Sequence, residues 1–163
     1  MITDIGEYIV GAYLKLILNC DVVDYNVRPP GGGLEGLEEI DVIGLNFKSD
    51  TAYLCEVTTH ICGVLYKNRN ITISRIKKKY ERLKKYAYKY LQDFKNKRYM
   101  FWAPVVHVGN ITKGLNEIKG LQKIINGEYK KRIQALQEMA RRTTHDARNP
   151  FFRMLQIIEH LRD

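Results

Sequence analysis

At 163 residues, 45% of them apolar, the chain is the size of one domain with a single buried core and is not a disordered polymer. No apolar run approaches the ~20 residues that span a bilayer. The net charge of +9 is split: residues 1–65 carry three Lys+Arg against ten Asp+Glu (−7), and residues 66–163 carry 24 against 8 (+16).

The most apolar early run, Tyr8 to Cys20, contains Lys15 and lacks a signal peptide's basic start and cleavage site. The expectation is an intracellular protein, cytoplasmic or otherwise, not secreted and without a membrane partner. Cys20, Cys55 and Cys62 have no CxxC spacing, which argues against a disulfide framework and a zinc knuckle. A basic half attracts polyanions, while an acidic half can hold divalent cations. The competing explanation is that the basic residues form solvated helix faces.

In chain order, Thr3 is placed to cap a helix reaching about Asn19. Its apolar face is Ile5, Tyr8, Ile9, Ala12, Tyr13, Leu16, Ile17 and Cys20. Glu7 lies off the centre of that face in the first turn, where a carboxylate also suits the helix dipole. Gly6 and Gly11 weaken the helix and permit close packing on a strand. Asp21 to Arg28 alternates like a half-exposed strand, and Pro29-Pro30-Gly31-Gly32-Gly33 breaks it. That loop is read first as a turn and second as bare backbone offered to a phosphate. With no Gly-Lys-Ser/Thr following, it is not a P-loop.

Leu37 to Asn46 and Thr51 to His60 read as two strands of a hairpin. Alternation puts Glu39 and Asp41 on one face of the first, and Glu56, Thr58 and His60 on one face of the second. Carboxylates on strands otherwise apolar must be paired or must coordinate a metal, and Asp41 and Glu56 form such a pair. From Ile73 the apolar spacing becomes helical through Phe94, with Ser74 or Thr72 as cap candidates. Lys78, Arg82, Lys85 and Lys89 lie outside its seam, and Lys77 and Lys84 flank it. Arg98 to Val108 reads as a buried strand that ends or bulges near Pro104. Thr112 to Ile125 reads as a helix closed by Gly127, and Glu128 to Asp163 as two helices broken at Thr143–Pro150. In the second of these, Phe151, Met154, Leu155, Ile158 and Leu161 form the expected apolar stripe, broadened by Phe152 and Ile157.

An acidic residue in a first helix (Glu7), an aspartate late in one strand (Asp41 of Glu-Ile-Asp-Val-Ile-Gly) and a glutamate on the next (Glu56 of Leu-Cys-Glu-Val-Thr) together resemble the PD-(D/E)xK nuclease superfamily. Arg28-Pro-Pro-Gly-Gly-Gly33 is similar to the glycine-rich loop before the aspartate in many members. The resemblance covers roughly Thr3 to Val106 and departs in one place, Thr58, which stands where the family has its lysine.

The resemblance implies an α/β, restriction-endonuclease-like αβββαβ core with a mixed central sheet flanked by helices, here residues 1–127. Residues 128–163 would be a C-terminal helical pair packed on the core or used in dimerisation. It implies a divalent-metal-dependent endodeoxyribonuclease using Mg²⁺ or Mn²⁺, with no organic cofactor, acting on DNA; the C-terminal pair, which lies outside the resemblance, makes a homodimer a further candidate partner. Asp41, Glu56 and the Val57 carbonyl would be metal ligands, and Glu7 would bind a second metal or orient a water. Lys77 is the first candidate to replace the motif lysine and His60 the second, as a base. Arg28, Gly32, Lys78, Arg82 and Lys85 are candidate DNA contacts. Two rival expectations are a nucleic-acid-binding module on the same fold without catalysis, and a helical interaction protein.

Overall fold

The computed structural model describes residues 2–30 and 39–162. Ten elements follow one another: α1 (Ile5–Leu16), β1 (Val22–Val27), β2 (Ile40–Asn46), β3 (Thr51–Val57), α2 (Arg69–Tyr90), β4 (Asn96–Ala103), α3 (Asn110–Asn116), β5 (Leu121–Ile125), α4 (Gly127–Arg142) and α5 (Pro150–His160). The fold is α/β. Its sheet has the spatial order β1-β2-β3-β4-β5, antiparallel across β1, β2 and β3 and parallel from β3 through β4 to β5.

Alternation along β4 shows how the layers are assigned. Trp102 is fully buried and meets Tyr13 of α1 edge-on at 5.4 Å and Tyr129 of α4 at 6.0 Å. Its neighbour Phe101 points the other way, into the cluster of Ile76 and Tyr80 from α2 with Ile111 and Leu115 from α3. Each such ring contributes about 1.5–3 kcal/mol by leaving water. The sheet is thus sandwiched, with α1, α4 and α5 on one face and α2 and α3 on the other.

Close approach of α1 to the sheet depends on two missing side chains. A Cβ on Gly6 would collide with Thr59 and press on Val57, and one on Gly11 would collide with the Tyr25 ring. Gly6 therefore brings the first turn of α1, and Glu7 with it, against the end of β3. At the far end of the chain, Asn149 caps α5 by accepting from Phe152 N at 2.9 Å. Its amide also donates to the Tyr8 carbonyl at 2.8 Å and the Tyr25 hydroxyl at 3.3 Å. The C-terminal helices are thereby fastened to α1 and β1, and Leu136, Ala140, Phe152 and Leu155 lie in the same core as Trp102.

Several expected elements differ. The helix expected over Thr112–Ile125 is the short α3 followed by strand β5, which continues the parallel ladder with Tyr99 opposite Leu121 and Ala103 opposite Ile125. Leu121 and Ile125 face the α2 layer while Ile124 faces the α1 layer. Apolar residues at three and four residue steps here arise from a strand buried on both faces. Gly120, at φ +81, makes the turn between the two elements. Gly127 opens α4 rather than ending a helix. α2 starts earlier than expected, at a cap formed by Asn68, whose side chain accepts from Ile71 N at 3.0 Å. β3 stops at Val57, so Thr58 and His60 lie beyond it. On α5, Phe152 and Leu155 are buried, while Met154, Ile157, Ile158 and Leu161 of the expected stripe are exposed.

Candidate functional site

The β2–β3 register ends with Val42 opposite Cys55, and Asp41 and Glu56 are the next residues beyond that pair, near enough for their charges to interact. Cys55 points into the α1 layer and Leu54 into the α2 layer. Glu56 therefore also points toward α2. It is only 2% exposed. An ionised carboxylate so far from water requires compensation. Lys79 donates to its Oε2 at 2.7 Å, and Arg82 donates to its Oε1. Both cations come from one flank of α2, three residues apart and so on neighbouring turns. Among the described residues the Arg82 Nε–H is buried without a partner.

Asp41 accepts from the Val57 backbone N–H at 2.7 Å, which ties the start of β2 to the end of β3. Burial and then the negative charge of Glu56 push its carboxyl up to about 7, against the pull of Lys79 and the Val57 N–H. Burial pulls the Lys79 ammonium down, but Glu56 and Asp41 more than offset that and leave it above its ordinary range. Together with Arg82 these groups form one electrostatic unit, in which two carboxyls face two cations.

Glu7 stands at the border of this unit and adds a small upward push to Asp41. Its Oε2 accepts from Asp4 N at 3.1 Å and from the Asn26 amide at 2.9 Å, and the first of these completes the capping box of α1. Burial, partly offset by those two hydrogen bonds, raises its carboxyl.

Lys77 lies elsewhere. It lines an open cavity of about 360 Å³ between α2 and α3, with Arg69, Asn70, Ile73, Ser74, Gly114 and Glu117. The reason is helical phase. The buried seam of α2 runs through Ile76, Tyr80 and Leu83, and Lys77 and Lys79 stand on opposite sides of it. No signal in a single sequence distinguishes these two flanks until the sheet's position is known.

His60 is exposed beyond the end of β3, with its ring edge-to-face with Tyr66 at 5.9 Å. The Thr58 N–H donates to the Trp102 carbonyl at 2.9 Å, extending the β3–β4 ladder without adding charge. Arg28 is engaged by Glu39 at 3.3 Å. Lys78 and Lys85 are exposed and form no ion pair among the described residues. Gly32 and its neighbours in the glycine run lie outside the described residues.

Asp41 and Glu56 are hard oxygen donors of the kind that Mg²⁺ and Mn²⁺ take. Both Glu56 oxygens are engaged by Lys79 and Arg82, and among the described residues no three His, Cys, Asp or Glu side chains are grouped as a metal cage. Among the described residues no helix is long and apolar enough to cross a membrane. Comparisons with protein-family models, with curated proteins and with solved structures returned no match.

Proposed function

We propose that the protein is a divalent-metal-dependent endonuclease that hydrolyses phosphodiester bonds in DNA, built on a restriction-endonuclease-like core. The observation that carries this reading is the Asp41–Glu56 pair on adjacent strands, with Lys79 bonded to Glu56 from the following helix. The order α1-β1-β2-β3-α2-β4 supports it, because it is the core order of the PD-(D/E)xK superfamily that the sequence resembles. The residues that would hold the metal are Asp41, Glu56 and the Val57 carbonyl, with Glu7 orienting a water or a second ion. A hard divalent cation there supplies Lewis acidity toward water and toward phosphoryl oxygens.

The remaining roles fall to the chain's own groups. Lys79 replaces the lysine that Thr58 lacks: its ammonium, with three donor hydrogens, turns from Glu56 to a phosphoryl oxygen where negative charge grows in the transition state. Arg82 offers its unpartnered Nε–H to the same phosphate. Lys78 and Lys85, on the outer face of α2, supply nonspecific attraction to the backbone. Two copies would pair through the exposed Met154, Ile157, Ile158 and Leu161 of α5. An Ile157→Glu change that leaves sedimentation velocity unaltered would remove that pairing.

The test is cleavage of supercoiled, linear, single-stranded and branched DNA with Mg²⁺ or Mn²⁺, alongside EDTA and Asp41→Ala. Metal-dependent cleavage abolished by Asp41→Ala is the expected outcome; cleavage unchanged by it removes the proposed centre. A second reading, a DNA-binding module without catalysis, is favoured by the capping of both Glu56 oxygens. Retarded DNA mobility with no cleavage of any of these substrates would establish it.

A further inference from the structure

The segment joining β3 to α2 is built unlike the other borders of the site. It starts two residues after Glu56 and ends at the helix that carries Lys79. It is pinned from below: Val64 N donates to the Val105 carbonyl at 3.2 Å, and Tyr66 N donates to the Thr72 hydroxyl at 2.9 Å. Above those anchors it holds apolar groups out to solvent, Ile61 at 73% and Leu65 at 53% exposure. In the same segment the Tyr66 ring carries the Arg75 guanidinium at 4.8 Å from its centroid and meets the His60 ring edge-on. Arg75 and Lys79 are four residues apart on α2 and share its flank.

A duplex presents phosphates and groove edges to such a wall, and an apolar side chain reaches its base faces only by wedging a step apart, at a cost of about a few kcal/mol. Unpaired bases present those faces without that cost, and cations set among aromatic side chains are how single strands are held without sequence preference. We infer that Ile61, Leu65 and the Arg75–Tyr66 pair form a wall for unpaired bases beside the reacting phosphate, so that the substrate is single-stranded DNA or a single-stranded arm of branched DNA. This rests on the nuclease reading for which bond is cut, but not for the binding itself. The occupant is fixed by the combination of apolar tips with cations on the α2 side; an apolar protein partner would not need Arg75 and Lys79 beside it.

The test is fluorescence anisotropy of the full chain in EDTA with a labelled single strand of about twenty nucleotides and with the blunt duplex of the same sequence. The single strand is expected to bind about tenfold more tightly. The exposed double change Ile61→Ser, Leu65→Ser should weaken it about fivefold and leave the duplex unaltered, and Arg75→Ala should weaken it by a similar factor. Equal affinity for the two forms, or equal weakening of both by the double change, overturns the inference. A single-strand preference without any metal-dependent cleavage supports the inference while the nuclease reading fails. Asp41-dependent cleavage with no single-strand preference does the opposite.

Discussion

The two flanks of α2 each carry a lysine beside the buried seam and differ in circumstance. On one, Lys79 and Arg82 reach the buried carboxylate of Glu56 and are 34% and 21% exposed. On the other, Lys77 borders an open cavity with Arg69 and Glu117. Two residues along a helix is about 200° around it, which decides whether a lysine is a counter-ion to the sheet's acids or a solvated charge. Basic character alone therefore says little about a helix; its phase relative to the acidic strand ends decides the chemistry.

The largest contrast should appear in catalysis. Lys79→Ala is expected to lower single-turnover cleavage by about 10²–10³, the scale of losing one preorganised donor at developing charge. Lys77→Ala should stay within about twofold. Equal losses for the two would erase the distinction between the flanks.

The next largest concerns stability. Lys79→Ala leaves Glu56 with Arg82 alone, and removal of one partner from a fully buried pair costs about 3–5 kcal/mol. With Arg82 still bonded and Lys79 partly exposed, about 1–2 kcal/mol is expected from urea unfolding. The triple change Glu56→Leu, Lys79→Met, Arg82→Met should recover most of that loss, because it leaves neither cation without its carboxylate. A triple variant no more stable than Lys79→Ala would show that the three groups are not coupled.

Asp41 adds a pH dependence to the same flank. Its folded-state value of about 7 stands above the ordinary 3.8, so between them the native protein holds a proton that the unfolded chain has released. Stability in EDTA should accordingly fall as pH rises through that window, and Asp41→Asn should flatten the fall. Burial first, then the charges of Glu56 and Glu7, set this sign, against the opposing pull of Lys79 and the Val57 N–H. Urea midpoints that rise across the window in the parent protein would contradict it.

The smallest effect belongs to the outer face. Lys78→Ala or Lys85→Ala should each reduce the log-log salt slope of DNA binding by about 0.9 for a duplex, or about 0.7 for a single strand. Unchanged slopes would place DNA on another surface.

Much of the frame could be read in the sequence because its signals were local. The alternation of β1, the hairpin around Asp50, the long seam of α2 and the break before Pro150 each depend on neighbours a few residues away. The Asp41–Glu56 pair was legible for the same reason, since two adjacent strands bring their own acids together. Which α2 lysine reaches Glu56 was not, because Lys77 and Lys79 differ only in which side of a seam they occupy, and that is settled by the sheet to which the seam docks. β5 was hidden by burial on both faces, which gives Leu121, Ile124 and Ile125 the spacing of a helix. On α5, Phe152 and Leu155 took the inner face because Asn149 fixes the helix against Tyr8 and Tyr25, a contact 141 residues distant in the chain.

The most direct measurement is cleavage of DNA in Mg²⁺ or Mn²⁺ by the parent protein, Asp41→Ala, Lys79→Ala and Lys77→Ala, with EDTA as the metal-free arm. The account predicts metal-dependent cleavage that is lost with Asp41, lowered about 10²–10³ with Lys79 and nearly unchanged with Lys77. Cleavage indifferent to Asp41 and Lys79, or DNA binding with no cleavage in any metal, would contradict it.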